Sequence, residues 1–427
     1  MKSRTAIFFL AALLPCAGPA NGAARKLSRA QQKKFVASAL RYLRLRFRPD
    51  GKEQRADLLE ELRPLEASSW KGLRKAFRPP YAKPFLRAAG KTGKQTLHFP
   101  PPGLASCEYL IDLPRGYTPA RPWPLVVLLH GGGKNQGNGS QIMSLMGPAF
   151  QKRRCIVVAP TCPPDCWWHS PRTETFLQSI LFEVSATYAV DFDRIYAAGH
   201  SFGGVGAWSV GTRFPDLFAG FAPAAGNPPN VMDYDLFHNT AFYVAHGRND
   251  TRVVPDGDLA ARKAVEALDP KPRHYRFDFF EAGDALGHGL PHDKIEAMAA
   301  FLTRWKRDPF PERAVCVAPF AQVKEGVRDS FHAFWLGVDE RPVYQGHGKA
   351  VGELAGDNLI RIRTTHVTRI SVYVSDDFLD LDKPVRIEIN GRIAFEKRVE
   401  RSVEFLLEHM EKTGDRGRVF ANRIRLP

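Results

Sequence analysis

One five-residue turn constrains this chain more than any other feature. Gly199-His200-Ser201-Phe202-Gly203 follows an apolar run at 194–198 and precedes an amphipathic stretch at 204–212. A serine on so sharp a strand-to-helix turn takes strained backbone geometry, and side chains two residues to either side would collide. Glycine at 199 and 203 is therefore a steric requirement, and the junction belongs to a sheet whose strands are joined by helices. The turn lifts the Ser201 hydroxyl clear of the sheet and leaves the Phe202 amide at a helix N-terminus, where negative charge is favoured. Ser201 is the candidate nucleophile.

The pattern on both sides agrees. Short apolar runs at 125–129, 155–159, 194–198, 218–223, 241–245 and 275–280 alternate with helical patterns at 173–189, 204–212, 256–268 and 292–306. Such alternation predicts an α/β domain with a mostly parallel sheet flanked by helices. The run at 125–129 leads into His130-Gly131-Gly132-Gly133. Backbone without Cβ atoms can approach a substrate carbonyl, so the Gly132 amide, with Gly131 as its neighbouring alternative, pairs with that of Phe202 as a two-donor oxyanion hole. No Gly-Lys-Ser/Thr ending follows, which excludes a phosphate cradle. His130 is expected to brace this loop.

A serine hydroxyl needs a base, and the base needs an acid to orient it. In this kind of fold the chain order is serine, acid, histidine. After the run at 241–245 comes His246-Gly247-Arg248-Asn249-Asp250-Thr251-Arg252-Val253-Val254-Pro255, which sets Asp250 just past a strand end. Asp256 is the alternative acid, although its place suits a helix N-cap. After the last run, the loop 281–289 carries His288, the expected general base, with His292 as the alternative. The pair Trp167-Trp168, in the loop after 155–159, is suited either to stacking on a ring of the substrate or to packing.

These residues resemble the α/β-hydrolase superfamily from about residue 107 to 306. The His-Gly-Gly-Gly turn, the Gly-His-Ser-Phe-Gly elbow and the His-Gly-Arg-Asn-Asp segment ending Val-Val-Pro are similar to those of prolyl-oligopeptidase-like peptidases, dienelactone-hydrolase-like proteins, feruloyl esterases and polyhydroxybutyrate depolymerases. The resemblance implies Ser201, Asp250 and His288 as a triad working without metal or organic cofactor. Prolyl oligopeptidases proper carry a β-propeller ahead of the hydrolase domain. The roughly 80 residues between the leader and Cys107 are too few for the 4–8 blades of one.

A chain of 427 residues exceeds one ordinary core. The expected division is a leader at 1–24, a helical region at 25–99, the α/β domain at 100–308 and a β-rich module at 309–427. Lys2 and Arg4, an apolar run at 6–14 and small residues through Ala24 have signal-peptide anatomy, so the protein is expected to be exported. Pro15 disfavours lipid attachment at Cys16. Five cysteines follow the leader (107, 155, 162, 166 and 316), an odd set of which Cys162 and Cys166 are near enough for a local bridge. No run reaches the length of a transmembrane helix. The helical region, with leucines at three-to-four spacing in 27–91, is expected to cap the main domain. The formal charge of +16 is spread over 25–87 and the region after 304, with no nucleic-acid reading motif to gather it.

Beyond Pro309 the runs 359–362, 370–374 and 385–389 are expected strands, the last followed by the hairpin turn Asn390-Gly391, then a helix at 403–411 and a strand at 419–424. Phe334, Trp335 and Tyr373 are expected to fill a sandwich core, with carbohydrate contact as the alternative. Asp376, Asp377, Asp380 and Asp382 lack the spacing of a calcium loop, and no metal is expected. The function expected is hydrolysis of an ester- or amide-bearing small molecule or polymer. A prolyl-oligopeptidase-like peptidase and a non-catalytic binding protein on the same fold are the alternatives.

Overall fold

The computed structural model describes residues 28–45, 51–62, 92–97, 104, 107–228, 233–318, 331–342, 346–413 and 415–427. The leader, Cys16, the proline run at 100–102 and the helical pattern at 63–91 lie outside them.

Eight strands form one sheet: β1 (Gly93–Thr96), β2 (Glu108–Asp112), β3 (Trp123–Leu129), β4 (Ile156–Pro160), β5 (Val190–His200), β6 (Gly220–Ala224), β7 (Ala241–Gly247) and β8 (Tyr275–Phe280). Their order is β1-β2-β4-β3-β5-β6-β7-β8. β2 runs antiparallel to both of its neighbours, and every pairing from β4 to β8 is parallel. This is the α/β-hydrolase sheet expected from the sequence, and it already includes β1, upstream of the proline run.

The inner strands β3, β4, β6 and β7 are buried along their whole length because helices cover both faces of the sheet. On one face α1 (Gly139–Lys152) and α2 (His292–Leu302) bury Ile142, Met146, Phe150, Ile295 and Met298 against Val126, Leu128, Val157 and Ala198. The alternate residues Leu125, Val127, Leu129, Ile156 and Ile195 meet Phe176, Ile180 and Val184 of α3 (Pro171–Thr187), Trp208 of α4 (Phe202–Arg213) and Val265 of α5 (Asp256–Glu266). Each such fully buried aliphatic chain contributes about 1.5–3 kcal/mol relative to exposure.

The C-terminal module stacks two sheets. One is β10 (Phe331–Ala333), β11 (Leu336–Glu340), β12 (Arg369–Val374) and β13 (Asn422–Leu426); the other is β14 (Arg392–Lys397), β15 (Val385–Ile389), β16 (Leu359–Thr365), β17 (Gly348–Leu354) and β9 (Arg313–Ala318), each in spatial order. Asn390 and Gly391 join β15 to β14 at φ 49° and 81°, the left-handed pair that a two-residue hairpin demands. Phe334, Trp335 and Tyr373 are buried in this module, and the Trp335 indole donates to the Pro311 carbonyl. They are core residues, which removes them as an exposed carbohydrate platform. Asp376 and Asp382 pair with Arg401, and Asp380 with Lys383.

The helices α6 (Arg29–Leu45) and α7 (Gly51–Leu62), the first two among the described residues, belong to the region expected to cap the main domain. Their apolar stripes, among them Phe35, Leu43, Leu58 and Leu62, instead join the core of the β-rich module, with α8 (Val403–Thr413) and with Phe182 and Ala186 of α3. β9 links the two cores. Ala314, Cys316 and Ala318 face the module, and Val315 and Val317 face the α/β domain. Among the described residues no helix is long and apolar enough to cross a membrane.

Candidate active site

The elbow follows from close packing of glycine. A Cβ at 203 would stand 1.9 Å from the Leu129 carbonyl oxygen, and one at 199 would stand 2.2 Å from the carbonyl oxygen of Gly203. Both distances are far inside van der Waals contact, so the two glycines let β3, β5 and α4 converge. Ser201 sits at φ 58°, ψ −122°, a conformation that costs a non-glycine residue of order 1–3 kcal/mol. Its amide donates to the Ala224 carbonyl at 2.8 Å, which ties the elbow to β6.

Ser201, His288 and Asp250 meet. The Ser201 hydroxyl is 2.8 Å from His288 Nε2, and His288 Nδ1 is 2.6 Å from Asp250 Oδ2. The second oxygen of Asp250 accepts the amides of Arg252 and Val253 at 2.9 and 2.8 Å. Burial acts to raise the pKa of this carboxyl. The Val253 amide and the His288 bond, with the charge on that ring, outweigh it and hold the acid below the usual range. Asp250 is thus an anion whose oxygens are both occupied.

The loops that carry Asp250 and His288 are clamped to each other. Asn249 exchanges two 2.9 Å hydrogen bonds with the backbone of Ala282, and the Thr251 amide donates to the Leu286 carbonyl at 2.9 Å. Gly287 passes so close to the Asn249 carbonyl that a Cβ there would lie 2.1 Å from it. Asp284 accepts the amides of His288 and Gly289 at 3.1 and 2.6 Å and fixes the end of the histidine loop.

The alternatives fall elsewhere. Asp256 is exposed in the first turn of α5, whose N-cap is Pro255, so Asp256 does not cap it. His292 is exposed at the start of α2 and faces Glu296 at 3.7 Å. His130 braces its loop as expected. Its Nε2 accepts the Cys162 amide at 2.9 Å, so the proton is on Nδ1, which donates to the Gly131 carbonyl at 2.8 Å.

Gly132 and Gly133 take φ of 105° and 87°, a turn open to glycine. Gly131 lies against Ser201, since a Cβ there would be 3.2 Å from Ser201 Cβ and 3.7 Å from its hydroxyl oxygen. Phe202 is the first residue of α4, so its amide is one of those a helix leaves without an internal acceptor. The tryptophan pair divides. Trp168 is buried, with its indole on the His130 carbonyl at 2.9 Å. Trp167 is 41% exposed and stands edge-on to Phe202 at 5.0 Å. Val254 and Leu286, on the acid and base loops, are exposed as well.

Three side chains of the neighbourhood went unnoticed in the sequence. His200 Nε2 donates to the His288 carbonyl at 2.8 Å, and His246 and Asp258 form a buried pair behind Asp250. All five described cysteines are free thiols. No cluster of three or more His, Cys, Asp or Glu side chains placed to hold a metal occurs among the described residues.

No protein-family model and no curated protein matches the sequence. Among solved structures the chain is similar to a thermostable esterase at 26% identity and TM-score 0.42, covering 50% of this chain and 63% of that one. It is also similar to a ferulic acid esterase (21% identity, TM-score 0.40, 50% and 98% covered). A third is the feruloyl esterase module from Clostridium thermocellum (17%, TM-score 0.38, 52% and 92%). This chain thus spans less than two thirds of the first esterase.

Proposed function

We propose that this protein is an exported serine hydrolase that cleaves carboxylic esters through an acyl-enzyme. The observation that carries the reading is the unbroken hydrogen-bond chain from the Ser201 hydroxyl through His288 to Asp250. His288 takes the serine proton as the hydroxyl oxygen attacks the ester carbonyl, and Asp250 holds the imidazole with its proton on Nδ1 and stabilises the imidazolium. The amides of Gly132 and Phe202 receive the developing oxyanion, each worth about 2.7–4 kcal/mol of barrier. The imidazolium then protonates the leaving alkoxide, and a water activated by the same ring releases the acid and restores Ser201. The residues present supply nucleophile, base, acid and oxyanion donors from the chain itself.

The exposed Trp167, Val254 and Leu286 on the loops around the triad favour an apolar or aromatic ester partner over a charged one. Hydrolysis of p-nitrophenyl acetate and butyrate tests the reading. The wild type is expected to turn both over and to be labelled at Ser201 by a fluorophosphonate. Ser201→Ala is expected to lose at least about 1,000-fold in kcat/KM, as loss of an acyl-enzyme nucleophile does. Retained activity in that variant would remove Ser201 from the mechanism.

A further inference from the structure

Behind the acid of the triad lies a second imidazole with no access to solvent. His246, at the end of β7, is 0% exposed, as is the side chain of Asp258 on α5. Both ring nitrogens of His246 face acceptors: Nδ1 is 2.6 Å from Asp258 Oδ2, while Nε2 is 2.8 Å from the Val253 carbonyl and 3.4 Å from Asp250 Oδ2. A carbonyl has no proton to give and Asp250 is held as the anion, so Nε2 must carry hydrogen. Burial pushes the Asp258 carboxyl up from its ordinary range, and the bond and charge of His246 together with the Trp208 indole N–H act against that push. The other oxygen of Asp258 takes the Trp208 indole N–H at 3.0 Å, and its amide is held by Asn227 at 3.1 Å.

We propose that His246 is a buried imidazolium, charged by Asp258, that positions Asp250 and moderates its field on His288. The inference rests on the triad reading, and it gives the site the order Asp258, His246, Asp250, His288, Ser201. The charged and titratable groups facing His246 are Asp258 from α5, Asp250 from the loop after β7 and the His200 ring from the end of β5, and His288 is bonded to Asp250 in turn. Burial works against a charge on His246, and the hydrogen bond and charge of Asp258 overcome it. A cation 3.4 Å from Asp250 Oδ2 pins that oxygen under the His288 Nδ1 proton. It also partly cancels the field that the Asp250 carboxylate exerts on the His288 ring. His246 and Asp258 touch no reacting atom and are positioning residues.

Asp258→Asn separates the two places the shared proton can occupy. An asparagine amide reproduces a protonated Asp258, donating to Nδ1 and accepting from Trp208, but it cannot charge the ring. With the imidazolium lost, the acid limb of kcat/KM is expected to move up by roughly 0.5–1 pH unit, the order for removing a nearby charge inside a protein. kcat is expected to fall by up to about 100-fold, as a small misplacement of catalytic groups does, with KM within about twofold. An unmoved acid limb in a folded Asp258→Asn enzyme would overturn the proposal.

Ring-nitrogen NMR of 15N-histidine-labelled wild-type protein at pH 8 guards against a variant that fails to fold. The His246 signals, assigned by their loss in His246→Gln or, should that variant not fold, by through-bond correlation in the wild type, are expected to show both nitrogens protonated. A bare Nδ1 would sink the idea. This readout needs no turnover, so failure of the triad reading, seen as full activity in Ser201→Ala, is told apart from failure of the imidazolium.

Discussion

At the scale of single residues, the site is built on places where no atom can be added. Gly203 is the sharpest case, because the Leu129 carbonyl oxygen that its Cβ would strike belongs to the backbone of the central strand β3 and cannot move aside. Gly203→Ala is expected to cost about 3 kcal/mol or more in stability, at or beyond the upper end of overpacking in a core. Urea unfolding of the variant beside wild type measures it, and a loss under 1 kcal/mol would show that the elbow relaxes. This requirement was readable from the five letters around Ser201, since glycine two residues either side has no other steric reason to be there. Asp250 and His288 were readable from chain order after successive strands. His200, His246 and Asp258 were not. In the sequence His246 is a strand-end residue before a glycine and Asp258 a first-turn helix acid, and only the packing of α5 against β7 brings them within 2.6 Å.

At the scale of elements, the loops after the strands carry what the strands cannot. The segment between β4 and α3 is held at several points: Asp165 by Asn135, Thr173 on the Trp167 carbonyl, and the Cys162 amide on His130. This frame fixes Trp167 edge-on to Phe202 with two fifths of its surface open to solvent. On the proposed mechanism, a rigid ring beside the candidate oxyanion donor Phe202 would offer binding area that a substrate occupies before and during reaction alike. Trp167→Ala is therefore expected to raise KM for aryl esters several-fold, about 1 kcal/mol of lost aromatic contact, with kcat nearly unchanged. A fall in kcat at constant KM would assign the ring to the oxyanion hole and not to substrate. Strands β3, β4, β6 and β7 were legible because runs buried on both faces are nearly all apolar, and β5 and β8 were legible from the apolar residues within more polar, partly exposed runs. The edge strand β1 and its neighbour β2 were not, being short and only partly buried. The helix α1 was hidden by Gly147 and Pro148 within it, breakers tolerated once Asn138 and Gln141 close a capping box at its start.

At the scale of the whole molecule, the β-rich module and the α/β domain share buried charge as well as core. Arg307, just past α2, reaches Asp415 at 2.5 Å and Asp193 at 3.1 Å, and its guanidinium also donates to the Asp216 carbonyl at 2.8 Å. Arg418 returns from the module to Asp415 at 2.7 Å and to the Asp216 carboxylate. The partition expected at residue 308 therefore passes through a paired cluster that removal of either side would leave as uncompensated charge. Burial acts to raise the pKa of Asp216 and Asp415, and the charges of Arg418 and Arg307 prevail and hold both carboxyls below the usual range. Because the unfolded chain then binds protons at a higher pH than the folded one, this part of the stability is fully present above the unfolded carboxylate pKa of about 3.9. It is lost as pH falls from there toward the depressed folded values. Asp415→Asn is expected to cost about 3–5 kcal/mol at pH 7, the penalty for breaking a buried pair. It should also flatten the decline of Tm between pH 5 and 3, because one of the groups that must take up a proton is gone. Calorimetry of both proteins across that range checks the two effects together. A variant that loses stability at pH 7 but keeps the wild-type slope would place the acid lability in other carboxylates and leave the cluster as a purely structural joint.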